Sequence, residues 1–364
     1  MVQKQDKSTA LPGVFPTLAA GFDLTTRYLW LMAIPALLDL FLWIGPRLSF
    51  RALVERLIAQ MPAEALVVDP RPLLEEFAPR LNHFIYLSVT YLGVPTLMSG
   101  LSPEKTPIAP AILEGGGWAG WIGYLLLFTL AGLLLAALYY NLIAYAMRRS
   151  MADGAVAEAA RGQGRQARQA STGEGASPGA SNLTPRSAPD SARPLPALTP
   201  ARFARRTLQT WLRLMALAAL FAGLLMIVLV PATLFAGFMA LISQTLATFV
   251  LLGALVLVIW LVMFLSYTPQ GMLLNPRPFF HAVADSVRLL QGNLPTSLGL
   301  IFVVFLSRQL LSYILLTADS GTWVTAILVL AHAYIATALT VSLFLFYRDR
   351  FVAHLRTVQP PSKA

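Results

Sequence analysis

Six blocks of about 20 or more residues are almost wholly apolar, a length and purity that a bilayer demands and soluble cores rarely supply. They run over Leu24–Ile44, Trp118–Met147, Trp211–Val230, Leu241–Tyr267, Asn293–Leu316 and Thr322–Tyr347. At a helical rise of about 1.5 Å per residue, each reaches the roughly 30 Å needed to cross the hydrocarbon layer. The expected fold is therefore all-α: a polytopic membrane bundle of six spans. Trp30 and Trp43 lie near the ends of the first block, as interfacial aromatics do, and Pro35 is expected to kink it. Pro231 is expected to stop the third. A seventh segment, Leu81–Leu101, is apolar but carries Asn82, His83 and Pro95. It reads as a further span, a re-entrant piece or an amphipathic surface segment.

Composition agrees. Charged residues are 12% of the 364 and the mean hydropathy is +0.65, against about 25% charged in soluble domains. There is no cysteine, which removes disulfides, thiolate catalysis and cysteine metal sites. The N-terminal stretch lacks the charge-then-apolar order and small-residue cleavage site of a signal peptide, so the first span is expected to remain as an anchor.

The net charge of +10 bears on orientation rather than on nucleic acid, for which there is no motif. Eleven of the 27 Lys and Arg fall in 148–213, and the 46–116 region balances six of them against seven acids. The positive-inside rule then puts the N-terminus, the middle of the chain, the 268–293 loop and the C-terminus in the cytoplasm of a plasma membrane, and 46–116 outside. Two membrane halves follow, 1–149 and 207–350, with a tail over 351–364. Residues 150–206 join them as a linker rich in Ala, Gly, Ser, Pro and Arg, too poor in large apolar residues to fold. Its Asn182-Leu183-Thr184 sequon has no consequence in the cytoplasm. Anionic lipid headgroups are the expected partners of the basic segments, with a protein partner as a further expectation.

Outside the spans, Leu48 to Ile58 reads as one mixed-face helix. Ser266–Asn293 reads as an interfacial connector whose helix, 276–291, turns Phe279, Phe280, Val283, Val287 and Leu290 to one side. Gly116, Gly120, Gly123, Gly132 and Ala136 form a small-residue packing track. Tyr139, Tyr140 and Tyr145 read as an interfacial belt, and Asp23 with Arg27 as an (i, i+4) pair.

No nucleophile, metal-protease or phosphate-loop motif occurs, and the four histidines are scattered. The expectation is a non-enzyme without cofactor or metal. Glu75, Glu76 and His83 in the external region read as solvated surface groups. The residue that demands explanation is Arg308, near the centre of its span, where a charge costs roughly 2.5–3.5 kcal/mol on insertion scales. His332 should lie at similar depth across the last hairpin, and Asp39 is the only acid deep enough to neutralise Arg308. These three form the candidate polar intramembrane site, for a lipid headgroup or an anionic substrate.

The pattern F-x-A-V-x-D-S-x-R-L-L, preceded by a Pro-containing turn and followed by Asn293 and a span, carries a resemblance. With Ala282, Ser286, Arg288, Leu289 and Asn293 as its matching residues, 203–347 resembles a group of poorly characterised bacterial six-span proteins. The group includes the membrane domain fused to some glycerophosphodiester phosphodiesterases. The resemblance implies the six-span layout and no activity. The functions that remain are a lipid- or partner-binding membrane component, a transporter or permease subunit, and a lipid-processing enzyme.

Overall fold

A computed structural model describes residues 11–60, 71–78, 81–89, 92–98, 103, 105–171, 199–275, 278–316 and 321–358. Its helices are α1 (Val14–Arg27), α2 (Ala33–Ile44), α3 (Arg51–Gln60), α4 (Arg71–Phe77), α5 (Trp118–Ser171), α6 (Pro200–Ala240), α7 (Gln244–Leu265), α8 (Thr268–Leu274), α9 (Phe279–Gly292), α10 (Leu294–Leu316) and α11 (Val324–Val358). Five are long and apolar enough to cross a membrane, and α1 with α2, bent by 95° at their junction, forms a broken span or a re-entrant loop.

The bundle is organised on α11. Its small residues, Ala333, Ala336, Ala338 and Ser342, are fully buried and let neighbours approach closely. Residues 12–26 run antiparallel to it, and α2 meets its N-terminal part. Arg350 donates to the Pro12 carbonyl, the Thr26 hydroxyl meets the Tyr334 hydroxyl at 2.8 Å, and Trp43 packs edge-on against Trp323. At the tightest point a Cβ on Gly21 would lie 2.7 Å from the Ala338 carbonyl oxygen and overlap the Ser342 hydroxyl. Glycine is required there by the approach of two helices, not by its own φ.

The first segment thus begins ten residues earlier than the apolar block and is not one helix. It bends by 95° at Tyr28, where φ is −126° and ψ 60°, and passes through a 3-10 turn, Leu29–Met32. Pro35 is not the cause. It sits in the first turn of α2, where its missing N–H has no helical acceptor to lose. Pro231 likewise fails to stop its helix and lies inside α6.

Two boundaries move outward. α5 continues through Arg148 and Arg149 to Ser171, and α6 starts at Pro200, so the unfolded stretch expected over 150–206 is narrower; residues 172–198 lie outside the described set. The last helix passes Tyr347 and runs to Val358.

Leu81–Leu101 contains no described helix of spanning length. It forms a 3-10 turn, His83–Leu87, and then folds into the bundle, where Leu92, Val94, Leu97 and Met98 are buried. Gly132 on α5 makes room, since a Cβ there would meet the Leu87 and Tyr86 carbonyls. Of the expected glycine track, Gly123 and Gly116 touch nothing within 4 Å.

A short parallel pair, β1 (Arg47–Ser49) with β2 (Ile112–Glu114), clasps the base of the 50–111 excursion. The helix expected from Leu48 therefore starts only at Arg51. Asn82 accepts from the amides of Leu48 and Phe84 and ties the clasp to the 3-10 turn.

The connector helix α9 forms as expected, but rotated. Ala282, Ser286, Leu289 and Leu290 are buried, whereas Phe280 is 75% exposed. The hydroxyl of Ser286 decides the rotation. It donates to the Phe264 carbonyl at 2.6 Å and accepts from the Tyr267 amide at 3.2 Å, satisfying backbone groups left open where α7 ends. Asn293 bonds back to the Leu289 carbonyl at 3.2 Å, closing α9, and its own carbonyl accepts from the Ser297 amide at 2.8 Å as α10 begins.

Candidate functional site

Asp39 is the buried acid on which the site turns. It is 0% exposed on α2. Its two carboxylate oxygens accept hydrogen bonds from the amides of Leu97 and Met98, each at 2.9 Å. Backbone donors at this distance hold a carboxylate strongly where solvent is excluded. Asp39 Oδ2 also lies 3.4 Å from Nδ1 of His332, which is 1% exposed on α11. The carboxylate thus joins three pieces of chain: α2, the 92–98 segment and α11.

Arg308 is brought to the same place but not to Asp39. Among the described residues, the ion pairs are Arg27–Asp153, Arg51–Glu55, His332–Asp39 and Arg348–Asp349, and none uses Arg308. Arg308 therefore makes no direct ion pair with Asp39, whose two oxygens are taken by the Leu97 and Met98 amides. Arg308 lines a cavity of about 340 Å³, which His332, Tyr140, Gln270, Gln309 and Ser88 also line.

The cavity exists because α10 is only partly packed. α10 contacts α11 most, with smaller contacts to α9 and α1, while Phe302, Phe305 and Tyr313 remain exposed. Ile301, Val304, Phe305, Arg308 and Ser312 recur at helical spacing and form its inner stripe. The opposite wall is the 92–96 segment, held by a 3.1 Å bond from the Tyr140 hydroxyl to the Gly93 carbonyl.

Tyr139 and Tyr140 are thus interior residues and not a belt. Tyr139 is fully buried and donates to the Thr337 hydroxyl at 3.2 Å. Two residues on, Asn141 donates to the Thr210 hydroxyl of α6 at 3.0 Å. Polar side chains inside a bundle of this kind need such partners. The Asp23–Arg27 pair is also replaced, since Arg27 bonds Asp153 of α5 at 2.9 Å.

The external candidates do not converge. Glu75 and Glu76 are exposed, while His83 is buried against Phe50 at 4.1 Å between ring centroids and beside Trp121. Burial holds its pKa down at about 4, so it is neutral near pH 7. Among the described residues no three His, Asp or Glu side chains gather as a metal site.

Sequence reasoning reached Arg308, His332 and Asp39, and the inner stripe of α10 is legible in its spacing. It missed Tyr140, Gln270 and the 92–96 wall, whose roles depend on tertiary placement. No protein-family model, curated protein or solved structure matches this chain.

Proposed function

We propose that this chain is a non-catalytic, multi-pass plasma-membrane component that binds an anionic headgroup in the cavity beside Arg308. One observation carries the reading: a guanidinium lines an intrabundle cavity and no described carboxylate pairs with it. Arg308 is half-buried, but a guanidinium within a membrane-spanning helix with no acid beside it is costly, and an anion from outside offsets that cost. The loosely packed flank of α10 offers a route from the lipid phase. Arg148 and Arg149, past the middle of α5, with Arg202 and Arg206 in the first turns of α6, add a basic surface suited to anionic lipid. In this topology both ends of the chain and the 172–198 region are cytoplasmic. Kinship with the bacterial six-span group remains part of the proposal.

The test is lipid retention. The protein is purified from mixed lipid and bound lipid is counted by native mass spectrometry. Wild type should retain anionic lipid over phosphatidylcholine, and Arg308→Gln should reduce that retention about tenfold or more. Equal retention by both proteins would sink the reading. Topology is checked separately by impermeant thiol labelling in spheroplasts. Lys105→Cys should label, while Leu11→Cys and Arg202→Cys should not.

A transporter is the second reading, favoured by one observation. The broken first crossing and the inserted 92–98 segment meet at Asp39, and discontinuous elements of this kind border midplane sites in transporters. Solute flux in proteoliposomes that vanishes in Arg308→Ala would select it.

A further inference from the structure

The polar groups lining the cavity beside Arg308 differ in what they still have to offer. Near the start of α10 they are spent on the protein itself. The Ser266 hydroxyl donates to the Val262 carbonyl at 2.8 Å, and the Thr340 hydroxyl to the Ala336 carbonyl at 2.8 Å. The Gln270 amide, turned so that its nitrogen faces the Ser266 and Tyr267 carbonyls, donates to them at 3.0 and 3.1 Å. α10 itself lines this end with Ile301, Val304 and Phe305. Further along, its lining residues are Arg308, Gln309 and Ser312, and none of these three has a side-chain hydrogen bond or ion pair among the described residues. The cavity thus runs from an apolar end, whose polar groups are satisfied, to an end with open donors. An amphiphile with an anionic head fits that gradient in one direction. The other direction would set hydrocarbon against a guanidinium and an anion against groups already bonded.

The cavity also opens sideways. Phe305 and Gln309 line it and are exposed on the outer surface. α7 packs mainly on α6 and α9, and α10 mainly on α11, α9 and α1. α9 therefore closes the gap between α7 and α10 at its Ser266 end, while Val262 and Phe305 border the cavity from the two sides. A volume of about 340 Å³ is at the low end for ligand pockets and suits a headgroup with its first chain carbons. The rest of a chain has to leave through that gap into the bilayer.

We propose that the cavity holds an anionic phospholipid in a fixed orientation, its headgroup at Arg308, Gln309 and Ser312 and its chains directed toward Ile301 and out between α7 and α10. This rests on the anion-binding reading above. In the proposed topology the Leu316 end of α10 is external, so the lipid is one of the outer leaflet. Its headgroup is drawn about 12 Å inward from that helix end. Hydrocarbon alone does not admit a charged head to such depth, and the guanidinium with two neutral donors takes the place of its water.

The experiment is photocrosslinking of the full-length protein in membranes with two phosphatidylglycerol probes, one carrying a diazirine on the head and one early in an acyl chain. Head-probe adducts should fall at 308–312 and chain-probe adducts at 301–305. The reverse pattern overturns the orientation. Probe supplied to spheroplasts should be captured, and capture should be lost in inverted vesicles; the converse overturns the leaflet. Dihexanoyl phosphatidylglycerol should displace the probes at concentrations at least about tenfold below dimethyl phosphate, since each buried methylene strengthens binding. Equal potency makes the ligand a free phosphodiester and overturns the proposal. Arg308→Gln should cut head-probe capture about tenfold, and Arg308→Lys should restore most of it. Oriented capture unchanged in Arg308→Gln keeps the lipid site and overturns the anion reading. No cavity adduct in wild type, with Arg308-dependent lipid retention intact, overturns the oriented site and leaves the anion reading standing.

Discussion

α11 and the α6–α7 hairpin are all apolar enough to cross a membrane but are built for different surroundings. Over half of the apolar window of α11, 56%, is buried inside the protein, against 11% for each helix of the hairpin. α11 presents Ala, Ser and Thr to its neighbours. The hairpin presents Phe235, Phe238, Phe249, Leu252, Leu255 and Ile259 outward. Hydrocarbon solvates such side chains as well as a protein core does, so the hairpin needs no partner along most of its length. Helix association around α11 needs close approach and internal hydrogen bonds instead. Hydropathy passes both as spans, and the small and polar residues of α11 tell them apart.

The contrast breaks most visibly at glycine. Gly21→Leu drives a side chain into Ala338 and Ser342 and should destabilise the protein by about 3 kcal/mol or more, seen as a large fall in detergent melting temperature. Gly237→Leu and Gly253→Leu, where nothing lies within 4 Å, should leave the melting temperature unchanged. Equal effects would mean the hairpin is packed after all.

The next largest effect concerns Asp39. Asp39→Ala leaves the Leu97 and Met98 amides buried without an acceptor, at a cost of about 2–3 kcal/mol. Met98→Cys should then become labelled by an impermeant thiol reagent, and Asp39→Asn should fall between alanine and wild type.

A smaller effect comes from the cap over the core. The folded-state pKa of His83 is about 4 and its unfolded value about 6.5. The unfolded chain therefore binds more protons between those values. Stability contributed by His83 is present above about pH 6.5 and is lost as pH falls toward 4. The loss should be on the order of 1–2 kcal/mol in thermal melts, and His83→Phe should remove that pH dependence. Smallest of all is Pro231→Ala on the hairpin, which should shift stability by less than about 0.5 kcal/mol.

The same contrast explains what could be read in the sequence. Spans are long local patterns, and the six-crossing plan with Arg308 and His332 at one depth follows from block length and helical rise. The break at Tyr28 and the insertion of 92–98 do not. Asp39 secures that segment by bonding to the amides of Leu97 and Met98, and a backbone amide carries no residue signature. Pro231 misled for the complementary reason. Its rule comes from water-exposed helices, whereas helices surrounded by lipid keep their remaining hydrogen bonds because no solvent competes for them. The rotation of α9 was hidden in Ser286, a side chain unremarkable until it meets Phe264 and Tyr267.

The length of α5 has a separate consequence. From Met147 to Ser171 it continues for roughly 36 Å at the usual helical rise. With the bilayer boundary at Arg148 and Arg149, as the proposed topology has it, the far end stands several Debye lengths, of about 8 Å each, from the headgroups. Only its first turns feel the surface potential. Arg148 and Arg149 set the helix's footing, while Arg161, exposed on the free-standing spar, lies beyond that reach. Such a spar fixes where the next stretch of chain begins, at a set height above the membrane.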